Sequence, residues 1–401
     1  MGGERGKLTG RVIDGTGFRY LKHTEIQDHS GEVPCDTYFQ PNNCDLDKLR
    51  RLTVDDFDRC APAYLEIPFR NYFLGAAGRR ITYQENIKAY RRVKILPKIL
   101  RDVSRNEVTT TVLGLDVDFP IGISPVAQQK FAHPEGEVAT AAALGGMKTV
   151  MILSTLSSSL IEDVAFAARN SPSHLWMQVY VFQNRSITID IIRRAERAGF
   201  KAIVVTVDSP ILGDVTCGSR SLAGTVGDGF ANLPNRRQMP PLDASLTFKD
   251  ITWLTSITRL PIIAKGVLSG DDAKRAVLAG ASAVLVSNHG GRQVDTAPAT
   301  IDVLPDVVEA VNQINPRGEV YIDGGIRSGN DVFKALAMGA KMAFIGRPTI
   351  WGLAWAGSHG VKTVLQILRT EFNETMIMAG TSSPCDVRRA TVIPGRLNYG
   401  R

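Results

Sequence analysis

The chain has 401 residues, enough for one large α/β barrel with extensions or for two ordinary domains. Its composition, 44% hydrophobic and 22% charged, is typical of a globular protein, and no apolar run approaches the roughly 20 residues that span a bilayer. The net charge of +7 comes from scattered basic residues, so we expect solvated helix faces and anion-binding arginines, with neither a nucleic-acid nor a membrane partner.

Targeting and cysteine signals are weak. The first 17 residues hold no apolar segment, which argues against a secretory signal, and the C-terminal residues Tyr399, Gly400 and Arg401 are not an SKL-type peroxisomal address. The five cysteines are widely spaced and none forms a CxxC pair, which predicts reduced thiols and no zinc or other metal site. These features favour a cytoplasmic location over a peroxisomal one.

The N-terminal part differs from the rest of the chain. Residues 1–45 resemble an irregular arm, whereas residues 46–65 and the segment around 71–78 have the pattern of helices that pack on the following domain. We therefore predict an N-terminal arm with helices over 1–65 and a barrel domain over 66–401, with no second catalytic domain.

From about residue 120 short apolar runs alternate with stretches of helical periodicity. Continuous apolar runs are typical of parallel strands that are buried on both faces. Eight such strand–helix units predict a (β/α)8 barrel of the TIM type; the alternative is an open doubly wound sheet, although no GxGxxG follows the first strand. The runs are FPIGISP (119–125), MKTVMILS (147–154), LWMQVY (175–180), AIVVTVD (202–208), PIIAKGV (261–267), AVLVSNHG (283–290), EVYIDGG (319–325) and MAFIGRP (342–348).

The fourth and fifth strands begin 59 residues apart, farther than the other neighbours. The excess, residues 213–243, is rich in Gly, Pro and polar residues and follows the C-terminal end of a strand. Barrel enzymes keep their active sites at that end, so we predict a mobile lid rather than an inert insertion.

Polar residues at the ends of the barrel strands should converge on one opening. In SNHGGRQVD (287–295), His289 and Arg292 are separated only by glycines, which permit close approach of a substrate. An imidazole can remove a proton, a carboxylate such as Asp208 can stabilise the imidazolium, and a guanidinium binds an acidic substrate through two hydrogen bonds. Alone, His289 could be a structural histidine and Asp208 a helix cap; together they favour catalysis.

The last two strands end in glycines and arginines, which favour a phosphate site. Lys265, at the end of the fifth strand, either snorkels or faces a buried anion. Tyr180 is either a core tyrosine or part of the opening. The candidate residues at the strand ends, besides those above, are Pro125, Val126, Ala127, Ser154, Gln178, Thr206, Ser287, Asp323, Gly324, Gly325, Arg327, Gly346 and Arg347.

These segments resemble the FMN-dependent α-hydroxy-acid oxidising enzymes, which include glycolate oxidase, lactate oxidase, mandelate dehydrogenase and the flavin domain of flavocytochrome b2. The likeness covers roughly residues 65–380 and rests on SNHGGRQVD, DGGIRSGNDVFKALAMGA, IGRP, SPVAQQKFAHPEGE and RRAERAGFKAIVVTVD, in matching order. It implies FMN at the opening of the barrel and oxidation of a small-molecule 2-hydroxy acid to a 2-oxo acid. With no fused haem domain, O2 is the favoured electron acceptor, giving H2O2. Members often form homotetramers, which is an expectation here too.

The resemblance also implies residue roles. His289 is the base and Asp208 its partner; Arg292 and Tyr72 hold the substrate carboxylate, and Tyr180 bonds the substrate oxygen. Lys265 would stabilise the reduced, anionic flavin. Ala127, Ser154, Gln178, Thr206 and Ser287, with the neighbouring Pro125 and Val126, match positions that line the flavin, and the residues from Asp323 to Arg327, with Gly346 and Arg347, match the grip on its phosphate.

Two positions depart from the family pattern. Val215 stands where the family has an arginine after the fourth strand, so a cation is missing there unless Arg220 or another lid residue replaces it. The active-site tryptophan of glycolate oxidase corresponds to Leu156. The altered pocket predicts a bulkier or less acidic substrate, including a hydroxy or amino compound of secondary metabolism. Two other readings stay open: a catalytically silent FMN-binding protein, and an IMP-dehydrogenase-like barrel that uses Cys217, which lacks a recognisable motif.

Overall fold

The computed structural model describes residues 44–213, 215–216 and 229–394. The predicted arm therefore lies almost wholly outside the described residues, as does the first part of the predicted lid. Within the described ranges, no helix combines the length and the apolar character needed to cross a membrane.

Short helices and paired strands precede the barrel. They are a 3-10 turn at Leu46–Lys48, α1 (Val54–Cys60), a second 3-10 turn at Ala61–Tyr64, α2 (Ile67–Leu74), β1 (Ala76–Ala77), α3 (Ile81–Ala89), β2 (Lys94–Ile95), β3 (Thr110–Val112) and β4 (Leu115–Val117). The start of α1 is set by Thr53 and Asp56, which bond each other's backbone N–H groups in a capping box. Helical structure within 46–65 is thus confirmed.

The predicted helix around residues 71–78 is wrong beyond Leu74. Gly75 leaves helical geometry (φ −51°, ψ 138°), and β1 pairs with β9 (Val215–Thr216). The N–H of Ala77 also donates to the carbonyl of Gly291 at 2.8 Å. Tertiary contacts made by the last turn of α2 and by β1 therefore override the local helical pattern.

Cys44 and Cys60 form a disulfide that joins the first described residue to the end of α1. The expectation of reduced thiols is wrong for this pair, because a spacing of 16 residues carries no pairing signal until the turn at Leu46–Lys48 brings the two sulphurs together. Cys385 is a free, exposed thiol. Cys35 and Cys217 lie outside the described residues.

Eight parallel strands close into a barrel, which confirms the predicted architecture and excludes the open sheet. Each strand pairs with the next along the chain, and β13 closes on β5 through Ala343–Ile121, Phe344–Gly122 and Ile345–Ile123. The strands are β5 (Ile121–Ile123), β6 (Val150–Leu153), β7 (His174–Val179), β8 (Ile203–Thr206), β10 (Ile262–Val267), β11 (Ala283–Val286), β12 (Glu319–Asp323) and β13 (Met342–Ile345).

A helix follows each barrel strand. Apolar stripes of these helices cover the outside of the sheet, where alternate strand residues such as Met151 and Leu153 join the larger core. The helices are α4 (Gly136–Ala142), α5 (Ile161–Ala168), α6 (Arg185–Arg197), α7 (Phe248–Ile257), α8 (Gly270–Leu278), α9 (Thr300–Ile314), α10 (Gly329–Ala337) and α11 (Arg347–Met378), and β14 (Val392–Ile393) then pairs with β2.

The interior of the barrel is filled by its own apolar cluster. Trp176, Tyr321 and Phe344 form an aromatic triangle with ring centres 5.5–5.9 Å apart. The β3–β4 hairpin, which the sequence analysis missed, packs Val112 and Val117 against this cluster. The N-terminal end of the barrel is therefore closed, and the open end is the one where the strands terminate.

We expect Trp176→Ala to lower the free energy of unfolding by about 3–5 kcal/mol, because it removes one of the three rings of this triangle and leaves a cavity inside the barrel. Urea unfolding followed by far-UV circular dichroism measures the change. Phe166→Ala is the matched control, since the Phe166 side chain is 65% exposed. A loss below about 1 kcal/mol for Trp176→Ala would contradict a rigid, filled floor.

The second part of the predicted lid is packed against the barrel. Phe230 is buried, the N–H of Ala231 donates to the carbonyl of Ser157 at 3.0 Å, and Leu242 pairs with Phe182. Residues 214 and 217–228 lie outside the described residues, so the mobility of the lid stays a prediction.

Candidate active site

Side chains alternate along the strands, and this alternation places a layer of polar residues directly above the apolar cluster inside the barrel. On β7, β8, β10 and β12, an interior apolar residue (Trp176, Val204, Ile263, Tyr321) is followed two positions later by Gln178, Thr206, Lys265 and Asp323. These four polar side chains are all buried. The strand period thus places a ring of hydrogen-bonding groups just above the aromatic triangle.

His289 and Asp208 are brought together from different strands. His289 Nδ1 lies 3.0 Å from Asp208 Oδ1, and the backbone N–H of His289 donates to Ser287 Oγ at 3.1 Å. His289 has a left-handed backbone (φ 60°), an uncommon conformation outside glycine that is stabilised here by the surrounding loop. The imidazole is thereby fixed with Nδ1 toward the carboxylate and the rest of its ring toward the cavity.

Asp208 is held in its ionised form. Burial alone would raise the pKa of this carboxyl, but His289, Lys265 and a hydrogen bond from Ser209 outweigh burial and lower the pKa below its ordinary value of 3.8. Asp208 Oδ2 is buried and has no hydrogen-bond partner among the described residues. A carboxylate that stays charged next to His289 can stabilise the positive charge that the imidazole gains when it accepts a proton.

The lowered pKa of Asp208 gives a pH prediction. Because its folded-state pKa lies below the unfolded value, the ionised carboxylate stabilises the native state above pH 3.8, and this contribution is lost as the pH falls through the folded pKa. We expect Asp208→Asn to destabilise the protein most at neutral pH and progressively less in acid. Urea unfolding of both proteins across this range measures the difference; a difference that grows toward low pH would contradict the assignment.

Lys265 does not snorkel. Its side chain is 4% exposed, and Nζ donates to Ser287 Oγ at 2.8 Å and lies 3.4 Å from Asp323 Oδ2. Ser124 Oγ also donates to Asp323 Oδ2 at 3.2 Å, while Asp323 Oδ1 is buried with no partner among the described residues. The polar layer therefore combines the buried ammonium group of Lys265 with a carboxylate oxygen of Asp323 that can still accept hydrogen bonds.

Gln178 joins this polar layer through hydrogen bonds to Thr206 of β8 and to Thr155, which follows β6. Its Nε2 donates to Thr206 Oγ1 at 2.9 Å, and its Oε1 accepts from the N–H of Thr155 at 3.0 Å. Ser154 Oγ accepts from the N–H of Leu156 at 3.1 Å. These bonds leave the amide and hydroxyl groups in fixed orientations around the cavity.

Arg292 and Tyr72 also meet, as expected. Arg292 Nη1 donates to the carbonyls of Tyr72 (3.0 Å) and Gly75 (2.8 Å), and its Cζ lies 5.5 Å from the centre of the Tyr72 ring. Both residues line the same cavity as Tyr180, Leu156 and His289. Carbonyl groups at the end of α2 thus set the orientation of the guanidinium.

Two more arginines, Arg347 and Arg327, line the cavity, and Arg347 shares the Gly75 carbonyl with Arg292. Arg347 donates to the carbonyls of Phe73, Gly75 and Gly290 at 2.7–2.9 Å, and Arg327 forms an ion pair with Asp58 of α1. Burial, and then the nearby charges of Arg327 and Arg80, lower the pKa of Arg347 to about 10. Such a buried cationic neighbourhood is stabilised by an anion with several oxygen acceptors.

Gly325 shows why this side needs a glycine. It has φ 80°, and a Cβ there would lie 1.9 Å from the carbonyl oxygen of Asn86 in α3. The loop after β12 therefore packs directly on α3, and Gly324 and Gly325 line the cavity next to Arg327. This close approach is the local reason for the DGG sequence.

Most predicted residues line one cavity of about 1260 Å³, its open mouth included. Asp208 and Ser287 do not line the cavity themselves. Asp208 contacts the lining residue His289, and Ser287 contacts the lining residue Lys265. Val215 is buried beside Gly75 and is not part of the lining. The predicted residues in the lining are Tyr72, Pro125, Val126, Ala127, Ser154, Leu156, Gln178, Tyr180, Thr206, Lys265, His289, Arg292, Asp323, Gly324, Gly325, Arg327, Gly346 and Arg347.

The sequence analysis missed several lining residues. Tyr83, Asn86 and Ile87 form one face of α3, and their i, i+3, i+4 spacing was a usable signal once Tyr72 had been placed at the opening. Leu212, directly before the predicted lid, and Phe230, within it, also line the cavity. No pattern in the sequence pointed to these two.

The cavity fits a flavin mononucleotide. It offers a buried ammonium group, carboxylate and amide groups in the polar layer, and an arginine-rich end for a phosphate. Residues 61–394 match the family model described as FMN-dependent dehydrogenase. This chain belongs to the FMN-dependent dehydrogenase family. It is accordingly an FMN-dependent oxidoreductase of the 2-hydroxy-acid oxidase and dehydrogenase type, with FMN as its cofactor.

Individual relatives cover nearly the whole barrel. The chain is 42% identical to the peroxisomal (S)-2-hydroxyacid oxidase GLO4 of Arabidopsis thaliana, over 84% of this chain and 95% of the relative. It is 41% identical to an L-lactate oxidase of Nostoc, over 84% and 96%. The flavin-binding domain of baker's yeast flavocytochrome b2 superposes with a TM-score of 0.80, at 35% identity and 88% coverage of each chain. The FMN cofactor and the fold predicted from the sequence are thereby confirmed.

Proposed function

We propose that the protein oxidises a 2-hydroxy acid to the 2-oxo acid, with His289 as the base. The observation that carries the proposal is the pairing of His289 with the ionised Asp208 in the same cavity as Arg292. A base and a carboxylate-binding cation on one wall match a substrate whose hydroxyl and carboxylate are attached to the same carbon.

The substrate is oriented before it reacts. Arg292, whose position is set by the carbonyls of Tyr72 and Gly75, binds the substrate carboxylate, and Tyr72 contributes from the neighbouring turn. Tyr180 bonds the substrate oxygen, and His289 accepts a proton from the substrate while Asp208 stabilises the resulting imidazolium. Phe230 and Leu156 help to keep water away from these groups.

The chemistry of electron transfer belongs to the cofactor: bound FMN accepts two electrons from the substrate. Lys265 and the polar layer hold the flavin end, whereas Arg327, Arg347 and the Gly324–Gly325 backbone hold the phosphate end. With FMN bound, the positive charge of Lys265 would stabilise the negative charge that the ring gains on reduction.

The substrate differs from glycolate. Val215 replaces a family cation and is buried beside Gly75, and Leu156 and Phe230 line the cavity with apolar surface. The apolar lining that Leu156 and Phe230 provide favours a 2-hydroxy acid with a larger apolar side chain. The replacement of the family cation by Val215 supports the second candidate, a hydroxy or amino compound without a carboxylate.

Oxygen is the proposed electron acceptor, giving H2O2, as the oxidases among the relatives suggest by name. The cytoplasmic location and the homotetramer stay predictions, and the peroxisomal name of one relative makes the compartment worth testing. Fractionation of expressing cells and light scattering of the purified protein address these two points.

An oxygen-electrode screen tests the proposal. Purified protein is supplied with glycolate, L-lactate, and longer aliphatic and aryl 2-hydroxy acids, and H2O2 is measured in parallel. We expect fastest oxygen uptake with the longer acids. Fast turnover of glycolate and L-lactate alone would refute the altered substrate, and turnover of only non-acid compounds would favour the second candidate. No oxygen uptake with any compound would refute O2 as the acceptor, and flavin reduction under anaerobic conditions would then separate a dehydrogenase from a silent flavoprotein.

A further inference from the structure

The first turn of α3 brings an arginine and a tyrosine to the phosphate end of the cavity. Arg80, directly before α3, has a left-handed backbone (φ 65°, ψ 21°), and its side chain points inward with 4% exposure. Its Nη1 donates to the carbonyl of Leu74 at 3.0 Å. Neither a left-handed arginine nor a buried guanidinium is favourable by itself, so the surrounding structure must stabilise both.

Tyr83 lies between two guanidinium groups. The centre of its ring is 4.9 Å from Arg80 Cζ and 4.6 Å from Arg347 Cζ, both within the range of cation–π attraction. Tyr83 lines the cavity directly, from the helix face that it shares with Asn86 and Ile87. The three side chains therefore form a stack, defined here as the Arg80–Tyr83–Arg347 stack, that ends at the cavity.

Tyr83 shares the cavity lining with both arginines of the phosphate end, Arg327 and Arg347. Its ring contacts the guanidinium of Arg347 at 4.6 Å, centre to Cζ. A tyrosine side chain that lines the cavity beside two arginines can offer its hydroxyl as a donor to phosphate oxygens.

We propose that Tyr83 is a direct ligand of the FMN phosphate and that Arg80 is a positioning residue, which holds the Tyr83 ring and, through it, Arg347 against the phosphate. The glycine-rich loop, Arg327 and Arg347 were predicted from the strand-end motifs, whereas this pair comes from a helix before the barrel. The proposal concerns how FMN is held and does not depend on which substrate is oxidised.

Competition between FMN and riboflavin isolates the phosphate. Holoenzyme is equilibrated with mixtures of the two flavins, the protein is separated by gel filtration, and the bound flavins are quantified by chromatography. Because riboflavin lacks only the phosphate, the ratio of the two affinities cancels general damage to the fold. The variants are Tyr83→Phe, Arg80→Gln and Arg80→Lys, with Arg91→Gln, an exposed arginine just beyond α3, as the matched control.

We expect Tyr83→Phe to reduce the preference for FMN over riboflavin about tenfold, the effect of one hydrogen bond to a charged group. Arg80→Gln reduces it to a similar extent, Arg80→Lys restores part of it, and Arg91→Gln leaves it unchanged. An unchanged ratio in Tyr83→Phe overturns the ligand role, as does equal loss of both flavins. An unchanged ratio in Arg80→Gln overturns the positioning role.

Discussion

His289→Ala is expected to lower the rate of substrate oxidation by about 10³–10⁴-fold, the range reached when a general base is removed. No other described imidazole lines the cavity, and Asp208 contacts His289 from outside the lining. Neither can therefore replace the missing base. Rapid-mixing measurements of flavin reduction at saturating substrate report this step without the later reaction with oxygen.

The control for this variant is His359→Ala, which alters an exposed histidine on α11. We expect it to keep the wild-type rate, and both variants to retain FMN, since the phosphate end is untouched. Asp208→Asn should lie between wild type and His289→Ala, because the imidazole remains but loses its charged partner. A rate for His289→Ala within about tenfold of wild type would show that His289 is not the base.

Arg292→Ala has the second-largest expected effect. Removing one partner of a desolvated, hydrogen-bonded charge pair costs about 2–5 kcal/mol, which corresponds to a fall of about 30- to 4000-fold in kcat/KM for a carboxylate substrate. Arg292→Lys should recover only part of the loss, because an ammonium group cannot donate two parallel hydrogen bonds to a carboxylate. Steady-state oxygen uptake over a range of substrate concentrations measures the change.

A matched pair of substrates sharpens this test. The amide of the same 2-hydroxy acid carries no negative charge, so its kcat/KM should be less affected by Arg292→Ala than that of the acid. Equal losses for acid and amide would indicate that Arg292 acts on the fold of the α2 turn, whose carbonyls it bonds, and not on the substrate charge. Arg193→Ala, an exposed arginine of α6, serves as the surface control.

The barrel could be predicted because its strands and helices have separate, strong periodicities. The continuous apolar runs marked buried parallel strands, and the polar residue two positions beyond the last interior one, as in Lys265 and Asp323, marked the opening. Residues on different strands, such as Asp208 and His289, could be paired in advance because the ends of all eight strands meet in one place.

Two of the misses depend on long-range contacts from the segment before the barrel. The end of α2 at Leu74 is coupled to bonds from Arg292 and Arg347 to its last carbonyls, more than 200 residues away in the chain. The β3–β4 hairpin depends on its packing under the barrel, whereas the Cys44–Cys60 disulfide depends on the local turn at Leu46–Lys48. Val215 was predicted in the pocket from its position in a motif; the structure places it beside Gly75, and its role in the pocket stays a prediction.

Anaerobic mixing of the holoenzyme with a series of 2-hydroxy acids tests the central proposal most directly. At least one acid should bleach the visible absorption of bound FMN within the first turnover, while its 2-oxo product should not, and His289→Ala should bleach far more slowly. If no 2-hydroxy acid bleaches the flavin, although dithionite does, the cavity binds FMN but does not carry out the proposed oxidation.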